Sequence, residues 1–217
     1  MKKHIVCFGD SNTHGYRADP ADCADGGCRF NEEERWPCLL AKALGPDYLV
    51  LEEGLSGRTT AFPDPDEPGL SGLDAISMVL RTHEPVDLLI IMLGTNDLKQ
   101  CFHLDGTGIT QGLKWLVAEA RNTPCWAEGK PSILVVAPPH VREAIRSHPF
   151  YEQMGPGCIE TSAGLARSFA LASVTQGFRF LDAQGIAEFN NFDGMHLTAL
   201  GHAELARVLA QAVPTMV

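Results

Sequence analysis

Five short apolar runs constrain this chain most: His4–Phe8, Tyr48–Leu51, Leu88–Met92, Ile133–Ala137 and Phe178–Leu181. None alternates cleanly between apolar and polar residues. A strand with one wet face alternates with period two. Unbroken apolar strands therefore point to burial on both faces, as in a parallel sheet held between layers of helix.

Between the runs the apolar spacing becomes helical. "EERWPCLLAKALG" carries Pro37 near its start and Gly45 just past its end, the usual asymmetry of helix termini. "GLDAISMVLRTHE" and "GITQGLKWLVAEAR" are two further helices, and "CIETSAGLARSFALASVTQG" is a long one ending at Gly177. "TALGHAELARVLAQAV" closes the chain, with Thr198 as its N-cap. The order βαβαβαβαβα predicts a doubly wound α/β fold, a three-layer α/β/α sandwich around a five-stranded parallel sheet. Ligands of such sheets bind beyond the carboxyl ends of the strands. Chemistry is therefore sought in the turns that follow the strands, and two long irregular stretches, 17–35 and 138–157, lie on that side.

With 217 residues, 45% of them hydrophobic, the chain can bury one sizeable core, and a single domain over 1–217 is expected. The net charge is −10 and the 17 Lys and Arg form no basic run, so the footprint of a nucleic-acid binder is missing. No apolar run approaches the roughly 20 residues of a membrane span. The start "MKKHIVCFGDS" is too short in its apolar part for a secretory signal and reads as the first strand, so a cytoplasmic protein is expected. Seven cysteines, an odd number, argue against a complete disulfide framework. Cys23 and Cys28 lack the second Cys/His pair a zinc site needs, and no metal is expected.

Four turns on the functional side carry unusual polar residues: Gly9-Asp10-Ser11-Asn12, "EEGLSGRTT" with Gly54 and Gly57, "MLGTND" with Asn96 and Asp97, and "DGMH", Asp193 to His196. Ester hydrolysis needs a hydroxyl nucleophile, a base to take its proton, an acceptor to orient the base, and donors waiting for the oxyanion. Ser11, His196 and Asp193 fill the first three roles. The Ser11 and Gly57 N–H groups and the Asn96 amide fill the last. Gly57 suits its place because backbone without a side chain can approach a substrate closely.

These four ordered blocks resemble the SGNH hydrolases, the GDSL esterase/lipase family. "CFGDSNTHGY", "ERWP", "EEGLSGRTT" and "IIMLGTNDLK" more narrowly resemble its bacterial arylesterase/acyltransferase branch. The resemblance runs from residue 4 to about residue 205. It implies a flavodoxin-like SGNH hydrolase fold and a metal-free serine esterase acting on small acyl esters, with acyl transfer as a second outcome. It also implies a homo-oligomer that needs no cofactor and has a small-molecule ester as its partner. The family's serine falls on Ser11, its acid on Asp193, its base on His196 and its oxyanion donors on Ser11, Gly57 and Asn96. The two long loops depart from the branch and leave acyl and alcohol preference open, a carbohydrate O-acetyl ester included.

Several neighbours have humbler readings. Ser11 alone could be a helix N-cap. Asp10 braces the turn, Asp97 caps the following helix, and Arg58 pairs with a nearby acid to fix the second turn. Trp36 is a core or interface anchor, and His202 is a weaker base than His196. Asp10, Asn12 and His14 are candidate substrate contacts. Asp10 as the nucleophile of a phosphotransferase, or the glycine-rich turn as a nucleotide site, are the competing classes. The first lacks a Mg²⁺ ligand cluster and the second lacks G-x-x-x-x-G-K-[ST] and G-x-G-x-x-G.

Overall fold

In the three inner strands of the sheet, alternate residues feed opposite cores. The computed structural model describes residues 1–217. Its strands are β1 (Lys3–Gly9), β2 (Tyr48–Gly54), β3 (Leu88–Met92), β4 (Ile133–Ala137) and β5 (Arg179–Asp182). All pair in parallel, in the order β2-β1-β3-β4-β5. The longer helices are α2 (Trp36–Leu44), α3 (Gly72–Thr82), α4 (Gly106–Asn122), α6 (Cys158–Gln176) and α7 (Ala199–Ala212), with one-turn helices α1 (Ser11–His14) and α5 (Tyr151–Met154).

Val6, Phe8, Leu89, Ile91, Ile133 and Val135 face one core with α3, α4 and α6. Ile5, Cys7, Leu88, Ile90, Leu134 and Val136 face the other with α2 and α7. The sandwich thus has the three layers the sequence predicts. Burial on both faces holds for β1, β3 and β4 but not for the edge strands, of which no residue of β2 or β5 is fully buried. β2 also runs past its apolar run, through Glu52 to Gly54, because partners are waiting for its acids. Glu52 accepts from Arg35 at 2.5 and 2.9 Å and Glu53 pairs with His83 at 2.6 Å.

The helix ends follow sequence chemistry. Ser71, Asp105 and Thr198 each accept an N–H from the first turn of their helices, and Gly177 ends α6 in the left-handed region. All seven cysteines are free thiols. No helix is long and apolar enough to cross a membrane.

The chain leaves β1 to one side to make β2, then returns to the other side for β3. This reversal opens a crevice at the carboxyl ends of β1 and β3. There the helix α1 lies directly on the strand ends. A Cβ on Gly54 would stand 2.2 Å from the backbone nitrogen of His14, and one on Gly9 would stand 2.0 Å from Thr13 Oγ1. Gly54→Ala must push α1 off the sheet, costing about 1–3 kcal/mol or more and several degrees of Tm. Gly164→Ala, on an exposed face of α6 with nothing within 4 Å, should instead stabilise by about 0.5–1 kcal/mol. Thermal denaturation of the two variants checks both signs.

Candidate active site

The turn after β1 delivers Ser11. Asp10 is the cap of α1, its carboxylate accepting the Asn12 N–H at 2.9 Å, so the capping role lies with Asp10 and not with Ser11. Ser11 becomes the first residue of that turn of helix, buried but open to a cavity at its Oγ. Its backbone N–H makes no hydrogen bond within the protein, nor does that of Gly57. Gly57 has φ +83°, and a Cβ there would meet Leu70 Cδ1 at 2.7 Å, so both conformation and space call for glycine. Asn96 opens a 3-10 turn after β3. Its amide nitrogen donates to Arg58 O at 3.1 Å and faces an Asp10 oxygen at 3.5 Å, which aims it toward the cavity.

The fourth turn is built around Asn190. Its side-chain oxygen accepts from Phe192 N (2.7 Å) and Asp193 N (2.9 Å), and its amide donates to Asp193 Oδ1 (3.1 Å) and His196 O (2.8 Å). Asp193 Oδ1 also accepts from Met195 N and His196 N, at 3.0 and 3.2 Å. Its other oxygen lies 2.6 Å from His196 Nδ1, and His196 Nε2 lies 2.9 Å from Ser11 Oγ. Burial pushes the Asp193 carboxyl up, but the His196 ring and the backbone N–H groups outweigh it and hold the acid below its usual range. The ionised acid fixes the proton on Nδ1, leaving Nε2 to accept from the serine hydroxyl. A hydroxyl so placed can lose its proton as it attacks an electrophile.

Other residues sit where the sequence did not lead. Asn12 does not line the cavity. Its amide donates to Met195 O at 3.1 Å and its oxygen accepts from Leu197 N at 2.9 Å, gripping the backbone on both sides of His196. His14 faces away, beside Arg29, Arg35 and Glu52, and burial with those cations lowers its pKa. Asp10 is turned toward Asn12 and Asn96 and is 2% exposed, out of reach of a phosphate. None of the three candidate substrate contacts lines the cavity. Asp97 caps no helix. It accepts the Thr60 N–H at 3.0 Å and the Thr60 hydroxyl, tying the second turn to the third. Arg58 fixes the second turn through carbonyls rather than an acid, donating to Gly9 O at 2.9 Å and to Glu53 O while lying 4.1 Å from the Phe8 ring centroid. His202 is fully buried, accepts from Trp36 N at 3.2 Å and is pushed down to about 3 by burial, so it is no base. Trp36 is core.

The cavity, about 200 Å³, is lined by Ser11, Gly57, Asn96 and His196 together with residues the sequence reading missed. Tyr16, Ser56, Lys99 and Met195 sit within or beside the four blocks, so their neighbourhood was the available signal. Glu67 comes from the loop before α3. Phe150, Gln153 and Met154 come from the long 138–157 stretch, which does shape the pocket, whereas no residue of 17–35 lines it.

Burial raises two acids behind the site, Asp10 to about 6 and Asp97 to about 7, from an ordinary 3.8. The folded chain therefore holds more protons than the unfolded chain across that range. Their stabilising contribution is complete below about pH 4 and is lost as pH rises through about 6 and 7. The Asp97→Asn variant should show a shallower fall in Tm between pH 4 and 8 than the wild type, read by thermal denaturation. Asn12→Ala strands Met195 O and Leu197 N and frees the His196 segment. Ester turnover should fall on the order of 10²-fold with KM little changed, because Asn12 does not line the cavity.

A model of the GDSL-like Lipase/Acylhydrolase family matches residues 7–204. Among solved structures, the aryl esterase of M. smegmatis is 35% identical, with 99% of this chain and 100% of that chain covered and a TM-score of 0.89. A carbohydrate acetylesterase family member from Sinorhizobium meliloti is 37% identical over 99% and 98% of the two chains, TM-score 0.89. A putative arylesterase from Agrobacterium tumefaciens str. C58 is 34% identical over 99% and 100%, TM-score 0.85. A comparison with curated proteins gives no match.

Proposed function

The chain belongs to the GDSL-like lipase/acylhydrolase family, and we propose that within it the protein is a serine carboxylic ester hydrolase for small acyl esters, acetyl or short-chain, with aryl leaving groups accepted. The observation that carries this reading is the unbroken line from Ser11 Oγ to His196 Nε2 at 2.9 Å and from His196 Nδ1 to Asp193 at 2.6 Å, opening on a cavity.

Ser11 Oγ attacks the carbonyl carbon as its proton passes to His196 Nε2. Asp193, ionised and buried, supports the imidazolium and keeps its orientation. The carbonyl oxygen, now an oxyanion, accepts from the Ser11 and Gly57 N–H groups, which have no other partner, and from the Asn96 amide. Collapse breaks the bond to the alcohol oxygen, which takes the proton from His196. Water then attacks the acyl-serine, giving a proton to the same nitrogen; the second tetrahedral intermediate collapses, breaking the bond to Ser11 Oγ, which takes that proton as the acid leaves. An added alcohol in place of water would give acyl transfer, read as the ratio of ester to acid in the products. The small cavity favours short acyl groups. Its hydrogen-bonding side chains, Glu67, Lys99 and Gln153, and the likeness to a carbohydrate acetylesterase family member support a second reading within the family, a sugar O-acetyl ester as substrate.

A panel of aryl, alkyl and sugar acetates separates these readings. Ser11→Ala or His196→Ala should each bring turnover close to background, since the three residues act as a unit. Asn96→Ala should cost on the order of 10²–10³ in kcat. Full activity in Ser11→Ala would overturn the reading, and an unchanged Asn96→Ala would remove the third turn from it.

A further inference from the structure

One ionisable wall of the cavity has no partner. Glu67 and Lys99 both line it, but they are not equivalent. Lys99 Nζ is held at 2.6 Å by Asp64, a carboxylate 5% exposed as a residue, so its charge is already matched. The Glu67 carboxylate makes no hydrogen bond and no ion pair within the chain, and the residue is solvent-exposed where it lines the cavity. It also stands close to the reacting centre. Glu67 Oε2 would be 3.1 Å from a Cβ on Gly57, the glycine whose N–H faces the developing oxyanion. Any substituent of an ester that passes over Gly57 meets this oxygen.

A free carboxylate at that position accepts hydrogen bonds and attracts cations. It repels a second carboxylate brought to within a few ångströms. We propose that Glu67 is the specificity-determining residue of this cavity, selecting esters whose substituent beyond the carbonyl carries ammonium or hydroxyl donors and rejecting those that carry a carboxylate. The proposal rests on the esterase reading above and deepens it. Gln153, which lines the same cavity, offers a neutral amide to the same polar substituent. Glu67 takes no part in bond making, so its effect is read from the ratio between substrates and not from turnover of any one of them.

The test compares acetates whose leaving phenol carries a protonated aminomethyl, a hydroxymethyl or a carboxylate group, all of similar size, and a matching 4-nitrophenyl ester series with the same groups on the acyl side. Wild type, Glu67→Gln, Glu67→Lys and Ser11→Ala are assayed on all of them. The cation-to-anion ratio of kcat/KM in each variant is divided by that of wild type, so intrinsic leaving-group reactivity cancels. In Glu67→Gln this quotient should fall roughly three- to tenfold, and further in Glu67→Lys, with the effect shrinking as salt is raised. A change confined to the alcohol series places Glu67 against the leaving group, and one confined to the acyl series places it against the acyl group; either supports the assignment. A quotient near one in both series, with esters still hydrolysed, overturns it. No ester turnover by wild type, or undiminished turnover by Ser11→Ala, would instead overturn the esterase reading.

Discussion

Everything at this site depends on keeping one carboxylate ionised where no water reaches it. Asp193 is 0% exposed. An unpaired charge so placed would cost several kcal/mol, and here four donors surround it: the Asn190 amide, the Met195 and His196 N–H groups and the His196 ring. Satisfying the acid dictates the fold of its loop. Asn190 bends the chain back on Asp193, and Gly194 takes φ +73° where a Cβ would strike Arg142 O at 2.9 Å. Arg142 N in turn donates to Gly194 O. The orientation of the imidazole follows from the electrostatic needs of its neighbour.

Three buried aspartates lie within this region, and their surroundings divide them. Asp193 meets donors that prefer its charged form. Asp10 and Asp97 meet fewer, and burial carries them upward toward neutrality. Asp10 holds the serine turn and faces Asn96, while Asp97 joins the second turn to the third through Thr60. These two are braces between turns that share no sequence neighbourhood, and they join the first three of the four turns that meet at the cavity.

Much of this could be read from the amino-acid order. The five strands, the capping of α7 by Thr198 and the four polar turns follow from local pattern, because each depends on residues close in sequence. The edge strands were less legible, since an edge is a property of neighbours: nothing in "YLVLEEG" says that β2 lies outermost. Asn12, His14 and Arg58 were misjudged for the same reason. Asn12 and Arg58 are each adjacent in sequence to a group that faces the cavity, yet their side chains are used by partners far along the chain, Leu197 for Asn12 and Gly9 for Arg58, and His14, between Ser11 and Tyr16, stays off the cavity. Glu67 and Phe150 were invisible because they enter from loops whose path no short-range pattern fixes.

The bond between Ser11 and His196 closes a separation of 185 residues, and the base sits just ahead of the last helix. During synthesis from the N-terminus, Ser11, Gly57 and Asn96 all emerge long before anything can draw a proton from the serine. Without residues 193–196 in place the Ser11 hydroxyl has no base. Its reactivity switches on only when α7 docks against α2 and the Asn12 side chain takes hold of residues 195 and 197. Reactivity is thus a property of the closed structure, which no single segment of the chain carries by itself.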